Sequence, residues 1–292
     1  MRILYHHRIA SKDGQFVHVE ELVKALRRAG HDVRIVGPTY VESGRFGSER
    51  KYIHRLKRML PRFAYEILEL AYAIPAYFRL IRAARQYKPD VIYERYNLFQ
   101  PAGIWLRNRT KVPLLLEVNA PLFEERSVFS GISLKAIASW SERYVWRNAD
   151  AVLPVTKVLA EYLLAAGVEK SKVTVIPNGV DLAEFKGGMD RSAAKRRLHV
   201  DGKLVIGFVG FVREWHRLDT IIRLLADADF ANVVLLVVGD GPARAQLESL
   251  ATSIGVVERV QFAGLVEREN LLSCMSAFDI ALQPSVVRYA SP

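Results

Sequence analysis

The sequence is poor in cysteine, since Cys274 is its single thiol in 292 residues. One cysteine excludes an intramolecular disulfide framework and a structural zinc site made of several thiolates. This composition is typical of a reducing compartment, so we expect a cytoplasmic protein. Acidic residues are also scarce relative to basic ones, with 31 Asp and Glu against 42 Lys and Arg, and the formal net charge is +11.

Long apolar runs are missing as well. The best candidate, residues 70–78, contains Pro75 and falls well short of the ~20 residues that a membrane span needs. The apolar stretch after Met1 ends at Tyr5, before two histidines and an arginine, so we expect no signal peptide. The sequence has no P-loop, HExxH, GxSxG or paired Cys/His spacing. We therefore expect neither a metal site nor a bound cofactor.

What is present is an alternation of short apolar runs and amphipathic segments. The predicted strands are 2–5, 33–36, 89–96, 113–118, 151–155, 173–176, 204–209, 233–238, 259–262 and 280–282. The predicted helices are 18–29, 52–59, 63–87, 134–147, 157–166, 218–226, 242–254 and 269–277. Helices between consecutive strands indicate an α/β protein with two doubly wound parallel sheets. We place the boundary in the polar stretch 181–201, which gives domains 1–184 and 185–292.

Four loops after predicted strands carry candidate binding residues, because ligands of open α/β sheets bind beyond the carboxyl ends of the strands. The candidates are Asp13, Gly14 and Gln15 in the first loop, Glu117 and Asn119 in another, Gly210, Arg213, His216 and Arg217 in a third, and Gly239 and Gly241 in the last. Three potential cations before a helix form a plausible diphosphate site. The alternatives are a tight strand-to-helix turn for the two glycines of the last loop and a packing role for Trp215.

Positive charge is concentrated in the first domain. Residues 1–184 carry a net charge of +10, and 45–62 contain seven basic residues against one acid. Tyr52, Ile53 and Leu56 fall at helical spacing within this segment. We therefore expect it to lie on an anionic membrane surface through Arg50, Lys51, Arg55, Lys57 and Arg58, with a solvated helix as the alternative. Nucleic acid is excluded as a partner because no recognition motif accompanies the charge.

Two strings resemble the family 4 glycosyltransferases of the GT-B fold: VIPNGVDLAEF (175–185) and GFVREWHRLDTII (210–222). DGQFVHVEELVKALRRAGHDV (13–33), LLVVGDGP (235–242) and VQFAGLV (260–266) follow the family order. The resemblance implies a GT-B protein that moves a sugar from a nucleotide-sugar donor to a glycan or glycolipid acceptor, with retention and without a metal. It places the donor mainly on the second domain, with Leu265 and Val266 among the binding residues, and the acceptor on the first.

The chain departs from the family pattern at several positions. Phe211 and His216 stand where the family has an Arg and a Lys. Asn119, with Glu117 nearby, stands where many members have a His, so the resemblance makes Asn119 and Glu117 the candidate catalytic residues. The family also continues beyond the last residues here, so we expect an incomplete donor domain and no transferase activity from this chain by itself. A non-catalytic fragment that binds nucleotide-sugar or lipid, and a GT-B nucleotide-sugar epimerase, remain the alternatives.

Overall fold

A computed structural model describes residues 1–9, 14–37, 60–182, 189–287 and 289. The chain divides into two compact units, Met1–Gly179 with Tyr289–Ser291, and Val180–Arg288. The predicted helix at 52–59 and the basic residues Arg50, Lys51, Arg55, Lys57 and Arg58 lie outside the described residues.

The first unit alternates strands and helices. Its strands are β1 (Arg2–His6), β2 (Asp32–Val36), β3 (Val91–Arg95), β4 (Leu114–Val118) and β5 (Ala151–Pro154). Its helices are α1 (Gly14–Arg28), α2 (Arg62–Ala71), α3 (Ala73–Tyr87), α4 (Ala102–Thr110), α5 (Leu122–Phe129), α6 (Lys135–Asn148) and α7 (Lys157–Ala165), followed by a 3-10 turn at Lys170–Lys172. The five strands pair in parallel in the order β2-β1-β3-β4-β5. The predicted parallel sheet is therefore confirmed.

Both faces of this sheet are covered, which explains its continuous apolar strands. Ile3 and Tyr5 of β1 pack against Val19 and Val23, which lie four residues apart on α1. Residues at this spacing share one face of a helix, so α1 buries a single apolar stripe on the sheet.

The second unit is smaller. Its helices are α8 (Arg191–Arg197), α9 (Leu218–Leu224), α10 (Arg244–Ser253) and α11 (Arg268–Ser276), and its strands are β6 (Leu204–Val209), β7 (Val233–Val238), β8 (Val260–Gly264) and β9 (Ile280–Ala281). Short 3-10 turns lie at Glu214–His216, Ala228–Phe230 and Val257–Arg259. The described strands pair in parallel in the order β8-β7-β6-β9. Every residue of β7 is buried, as expected for a central strand covered on both faces.

Some predicted elements are wrong. The segment 173–176 is no strand, because only Val173 forms a bridge, to Val152. The single helix predicted at 63–87 is two helices that meet at Tyr72. Pro75 is the cause, because its nitrogen carries no hydrogen for the carbonyl four residues earlier. Helix α10 begins at Arg244, so Pro242 lies in the turn before it and not in the first helical turn. Helices α4, α5 and α8 were not predicted, and α8 lies within the polar stretch 181–201.

Candidate functional site

The candidate donor residues lie beyond the carboxyl ends of the strands of the second sheet. Residues 210–217 follow β6, Gly239 and Gly241 follow β7, and Leu265 follows β8. The backbones of these loops are joined: Gly210 donates to the Val238 carbonyl (3.0 Å), Val212 to that of Asp240 (2.9 Å), and Gly239 to that of Gly264 (2.8 Å). The loops therefore continue the sheet for a few residues past its strands.

Gly239 and Gly241 make this continuation possible. A Cβ at Gly239 would overlap the carbonyl oxygen of Gly210, and one at Gly241 would overlap that of Val212. Gly239 also has φ +132°, in the region that favours glycine. These glycines thus serve the contact between two loops; their binding role stays a prediction.

Arg213 lies against two aromatic rings of its own loop. Its guanidinium carbon is 4.5 Å from the ring centre of Phe211 and 5.3 Å from that of Trp215. Stacking on an aromatic face holds a guanidinium in place. Phe211 therefore helps to orient a cation in the loop.

His216 is not a third cation of this loop at neutral pH. Its Nδ1 accepts a hydrogen bond from the backbone N–H of Arg213 (3.2 Å), and its ring lies 4.9 Å from that of Phe208. Burial, and next the charge of Arg213, lower the pKa of His216 to about 4. The expectation of three cations is therefore wrong, because this imidazole is neutral and its remaining nitrogen carries the proton.

Arg217 is paired within its own turn. It adopts the left-handed region with φ +50°, and its Nε donates to Asp219 at 3.1 Å. A second guanidinium nitrogen donates to Thr220 Oγ1 at 3.2 Å. Of the predicted loop cations, Arg217 is thus compensated by a carboxylate, and Arg213 keeps the stacked position described above.

The remaining donor candidates differ in exposure. Leu265 is half exposed, with 48% of its surface accessible, whereas Val266 packs against the core on one face of the sheet. Trp215 is half-buried, and its carbonyl accepts a hydrogen bond from Val286 (2.9 Å). Their roles toward a donor stay predictions.

In the first unit, Glu117 and Asn119 belong to a buried polar cluster at the end of β4. Glu117 is paired with Arg95 at the end of β3, and Asn119 Nδ2 donates to Glu117 Oε1 at 2.5 Å. Burial, and next the charge of Glu117, raise the pKa of Tyr93. Arg95 and Asn119 both donate to Oε1 of Glu117, so its geometry suits holding Asn119 in place. Sequence reasoning missed Arg95, although it ends a predicted strand with a charge.

Two histidines at the end of β1 join the same edge of the sheet. His6 Nδ1 is 2.8 Å from Glu94 Oε2, and both side chains are buried. Gly103 accommodates this carboxylate, which a Cβ there would overlap. His7 Nδ1 accepts from the backbone N–H of Ile9 at 3.2 Å, and burial lowers the pKa of His7 to about 4. Neither histidine was predicted.

Glu142 is a further buried carboxyl that the sequence did not indicate. It accepts hydrogen bonds from Tyr96 Oη (3.0 Å) and from the backbone N–H of Phe123 (3.1 Å) at the start of α5. Burial raises the pKa of Glu142 to about 7. A glutamate inside a helix carries no local sequence signal of such burial.

Of the first predicted loop, Asp13 lies outside the described residues, and Gly14 and Gln15 begin α1. In the described residues, no group of three or more His, Cys, Asp or Glu side chains is arranged to hold a metal ion. The described helices include none that is long and apolar enough to cross a bilayer.

The two parallel sheets match solved structures of the GT-B class. Anabaena HepE, crystallised with UDP-glucose, superposes with a TM-score of 0.73 at 19% identity over 99% of this chain and 75% of that one. WaaG, a glycosyltransferase involved in lipopolysaccharide biosynthesis, superposes with a TM-score of 0.67 at 15% identity over 98% of this chain and 75% of that one. The chain therefore has the GT-B fold.

Each of the two units matches a glycosyltransferase family. Residues 12–184 match Glycosyltransferase Family 4, and residues 190–287 match Glycosyl transferases group 1. The chain belongs to glycosyltransferase family 4, as its motifs suggested.

Curated relatives include a GDP-mannose-dependent alpha-mannosyltransferase of Mycobacterium tuberculosis, 31% identical over 79% of this chain and 60% of the relative. A D-inositol 3-phosphate glycosyltransferase of Mycobacterium sp. (strain KMS) is 30% identical over 70% of this chain and 49% of the relative. The matches thus span about half to three fifths of these relatives.

Proposed function

We propose that this protein takes part in the transfer of a sugar from a nucleotide-sugar donor to a glycan or glycolipid acceptor, with retention and without a metal ion. The observation that supports this proposal is the guanidinium of Arg213, which is stacked on two aromatic rings. Its loop contacts the next loop closely because Gly239 and Gly241 have no side chain. A fixed cation stabilises a departing diphosphate because negative charge develops there during transfer. HepE in complex with UDP-glucose has the same fold and supports a nucleotide-sugar as the ligand.

The roles of the two units follow the family resemblance. We assign the donor to the second unit, domain 185–292, and the acceptor to the first, domain 1–184. In the first unit, Arg95 and Glu117 hold Asn119, and we propose that its amide contacts the reacting sugar. The relatives use different donors by name, so we keep the donor class general: a nucleoside diphosphate sugar.

Calorimetric titration with UDP, GDP and ADP tests the donor site. Arg213→Gln is expected to weaken binding of the preferred nucleotide by about 1–3 kcal/mol, because one charged hydrogen bond is lost. Arg223→Gln, on α9, removes the same charge outside the loops and is expected to leave the affinity unchanged. Equal affinities of wild type and Arg213→Gln would overturn the assignment.

Product analysis separates the enzymatic alternatives. An epimerase would change the sugar of the nucleotide-sugar in the absence of any acceptor, whereas a transferase needs one. A binding fragment would bind the nucleotide-sugar and consume none of it. The linkage of the product, read by nuclear magnetic resonance, reports retention directly, and activity after treatment with a chelator reports metal independence.

We also propose that the first unit docks peripherally on an anionic membrane at the cytoplasmic face. The polarity of α2 is inverted, because Glu66 and Glu69 are buried whereas Phe63 and Ile67 are 52% and 50% exposed. Phe78 on α3 is 63% exposed. Exposed apolar side chains of this kind, next in sequence to a strongly basic segment, fit the boundary of a bilayer with acidic lipids.

Vesicle co-sedimentation tests the docking. Phe63→Ser/Ile67→Ser/Phe78→Ser and Arg55→Glu/Lys57→Glu/Arg58→Glu are each expected to lose binding to vesicles with acidic lipid. Leu224→Ser, an exposed apolar residue of the second unit, is the matched control. Equal binding of wild type to neutral and acidic vesicles would overturn the proposal.

A further inference from the structure

A small cleft lies at the carboxyl ends of β1 and β2, on the side of the first sheet covered by α3. His7, Arg8, Gly37, Tyr72 and Arg79 are among the residues that line it. Arg8 follows β1 directly, Tyr72 lies at the junction of α2 and α3, and Arg79 lies on α3. None of these residues belongs to the donor loops or to the cluster around Glu117.

Two guanidinium groups lie against the same tyrosine ring in this cleft. The guanidinium carbon of Arg8 is 4.8 Å from the ring centre of Tyr72, and that of Arg79 is 5.0 Å from it. Arg79 Nη2 also donates to the Tyr72 hydroxyl. Both guanidinium groups therefore contact the same ring in this cleft.

In the part of the chain that the structure describes, no acidic side chain compensates their charge. Within the described ranges, neither Arg8 nor Arg79 forms an ion pair with a carboxylate. His6, which also lines the cleft, is hydrogen-bonded to the carboxylate of Glu94, and Glu94 is buried. Two guanidinium groups that share one aromatic ring and have no acidic partner among the described residues favour an anionic ligand.

His7 adds a neutral donor to the same wall. Because its Nδ1 accepts the N–H of Ile9, the ring proton resides on Nε2. This nitrogen faces Gly37, where an added Cβ would lie 2.6 Å from it. A side chain at Gly37 would therefore displace the imidazole of His7, so glycine at this position leaves room for the imidazole in the cleft wall.

We propose that this cleft binds the phosphate group of a phosphate monoester through Arg8 and Arg79. Two planar guanidinium groups match the two charges and the several oxygens of a phosphate dianion, whereas a carboxylate would engage one of them. The phosphate belongs either to a soluble phosphorylated molecule or to a lipid headgroup. The identification of this molecule as the sugar acceptor rests on the proposed function. The proposal that the cleft binds a phosphate group does not.

Titration of the full chain with inorganic phosphate and with glycerol 3-phosphate, at constant ionic strength, tests the proposal. Arg8→Gln/Arg79→Gln is expected to bind phosphate at least about tenfold more weakly than wild type, because the charged hydrogen bonds of both groups are lost. Arg82→Gln/Arg85→Gln removes two charges from the same helix away from the cleft and is expected to bind like wild type. Circular dichroism checks that the folds agree.

A second arm identifies the source of the phosphate. If the natural ligand is a lipid, wild type sediments with phosphatidic acid vesicles, the cleft variant does so less, and glycerol 3-phosphate competes. If it is soluble, phosphate binding alone distinguishes the variants. The proposal is overturned if the cleft variant matches wild type in both arms, or if wild type binds neither phosphate nor phosphatidic acid. Phosphate binding in a chain that binds no nucleotide would contradict only the proposed donor site.

Discussion

The backbone N–H of Arg213 donates to Nδ1 of His216 across 3.2 Å, and this one bond fixes the proton of the imidazole on its other nitrogen. Protonating Nδ1 would break the bond and would place a second charge beside the Arg213 guanidinium. Beside the Arg213 guanidinium the loop therefore presents a neutral imidazole, and its chemistry toward a diphosphate does not depend on a histidinium.

The first prediction is that nucleoside diphosphate affinity does not follow a histidine titration between pH 5.5 and 8. The pKa of His216 is about 4, so its neutral form dominates throughout this range. Calorimetric titration at several pH values measures this, with His216→Gln as a variant that has no ionisable group. An affinity that rises about tenfold toward pH 5.5 in wild type and stays flat in the variant would show that His216 binds as a cation.

The second prediction concerns the contact between the glycine loops. Gly241→Ala forces a Cβ against the Val212 carbonyl, so it is expected to destabilise the second unit by about 1–3 kcal/mol, as overpacking does. Gly179→Ala is the matched control, because an added Cβ there meets nothing within 4 Å. Urea denaturation measures both. A Gly241→Ala chain as stable as Gly179→Ala would mean that the loops separate easily.

The third prediction is a pH dependence of stability due to Glu142. Its pKa is about 7 when folded and near 4.5 when unfolded, so between these values the folded chain binds more protons. The contribution of Glu142 to the free energy of unfolding is therefore complete below pH 4.5. It decreases by about 3 kcal/mol as the pH rises to 7. Glu142→Gln is expected to match wild type near pH 5 and to be more stable at pH 8, in urea denaturation. Equal wild-type and variant slopes would contradict the raised pKa.

His7 acts in the opposite direction in the same unit. Its pKa is about 4 when folded and near 6.5 when unfolded, so its contribution is complete above pH 6.5 and is lost as pH falls toward 4. The two groups offset each other between pH 4.5 and 6.5. The Glu142→Gln variant should consequently lose stability more steeply than wild type on acidification.

The central strands were predictable because they are apolar runs covered on both faces, as in Val233–Val238. The buried pairs were not, because their members are distant in sequence: Glu94 meets His6 across 88 residues, and Glu117 meets Arg95 across 22. Such pairing depends on the order of the strands in the sheet, which periodicity does not encode. The candidate donor loop was chosen from its charges, but the protonation of His216 depends on a bond that only the folded loop makes.

The fourth prediction concerns Glu66, which joins α2 to α6. Its carboxylate accepts the backbone N–H groups of Ser133 (2.9 Å) and Leu134 (2.7 Å), just before α6 begins, and it is 3% exposed. Removing it leaves two backbone N–H donors without their acceptor and removes a negative charge from the positive end of a helix. Glu66→Ala is therefore expected to lower the free energy of unfolding by about 2–4 kcal/mol.

Urea denaturation measures this loss, with Glu161→Ala on the exposed face of α7 as the control for losing a helical glutamate. Glu66→Gln should recover part of the stability, because its amide oxygen still accepts one of the two N–H groups. If Glu66→Ala costs no more than Glu161→Ala, then the buried carboxylate does not hold α2 in place. The inverted polarity of that helix, with its apolar side chains outward, would then need another cause.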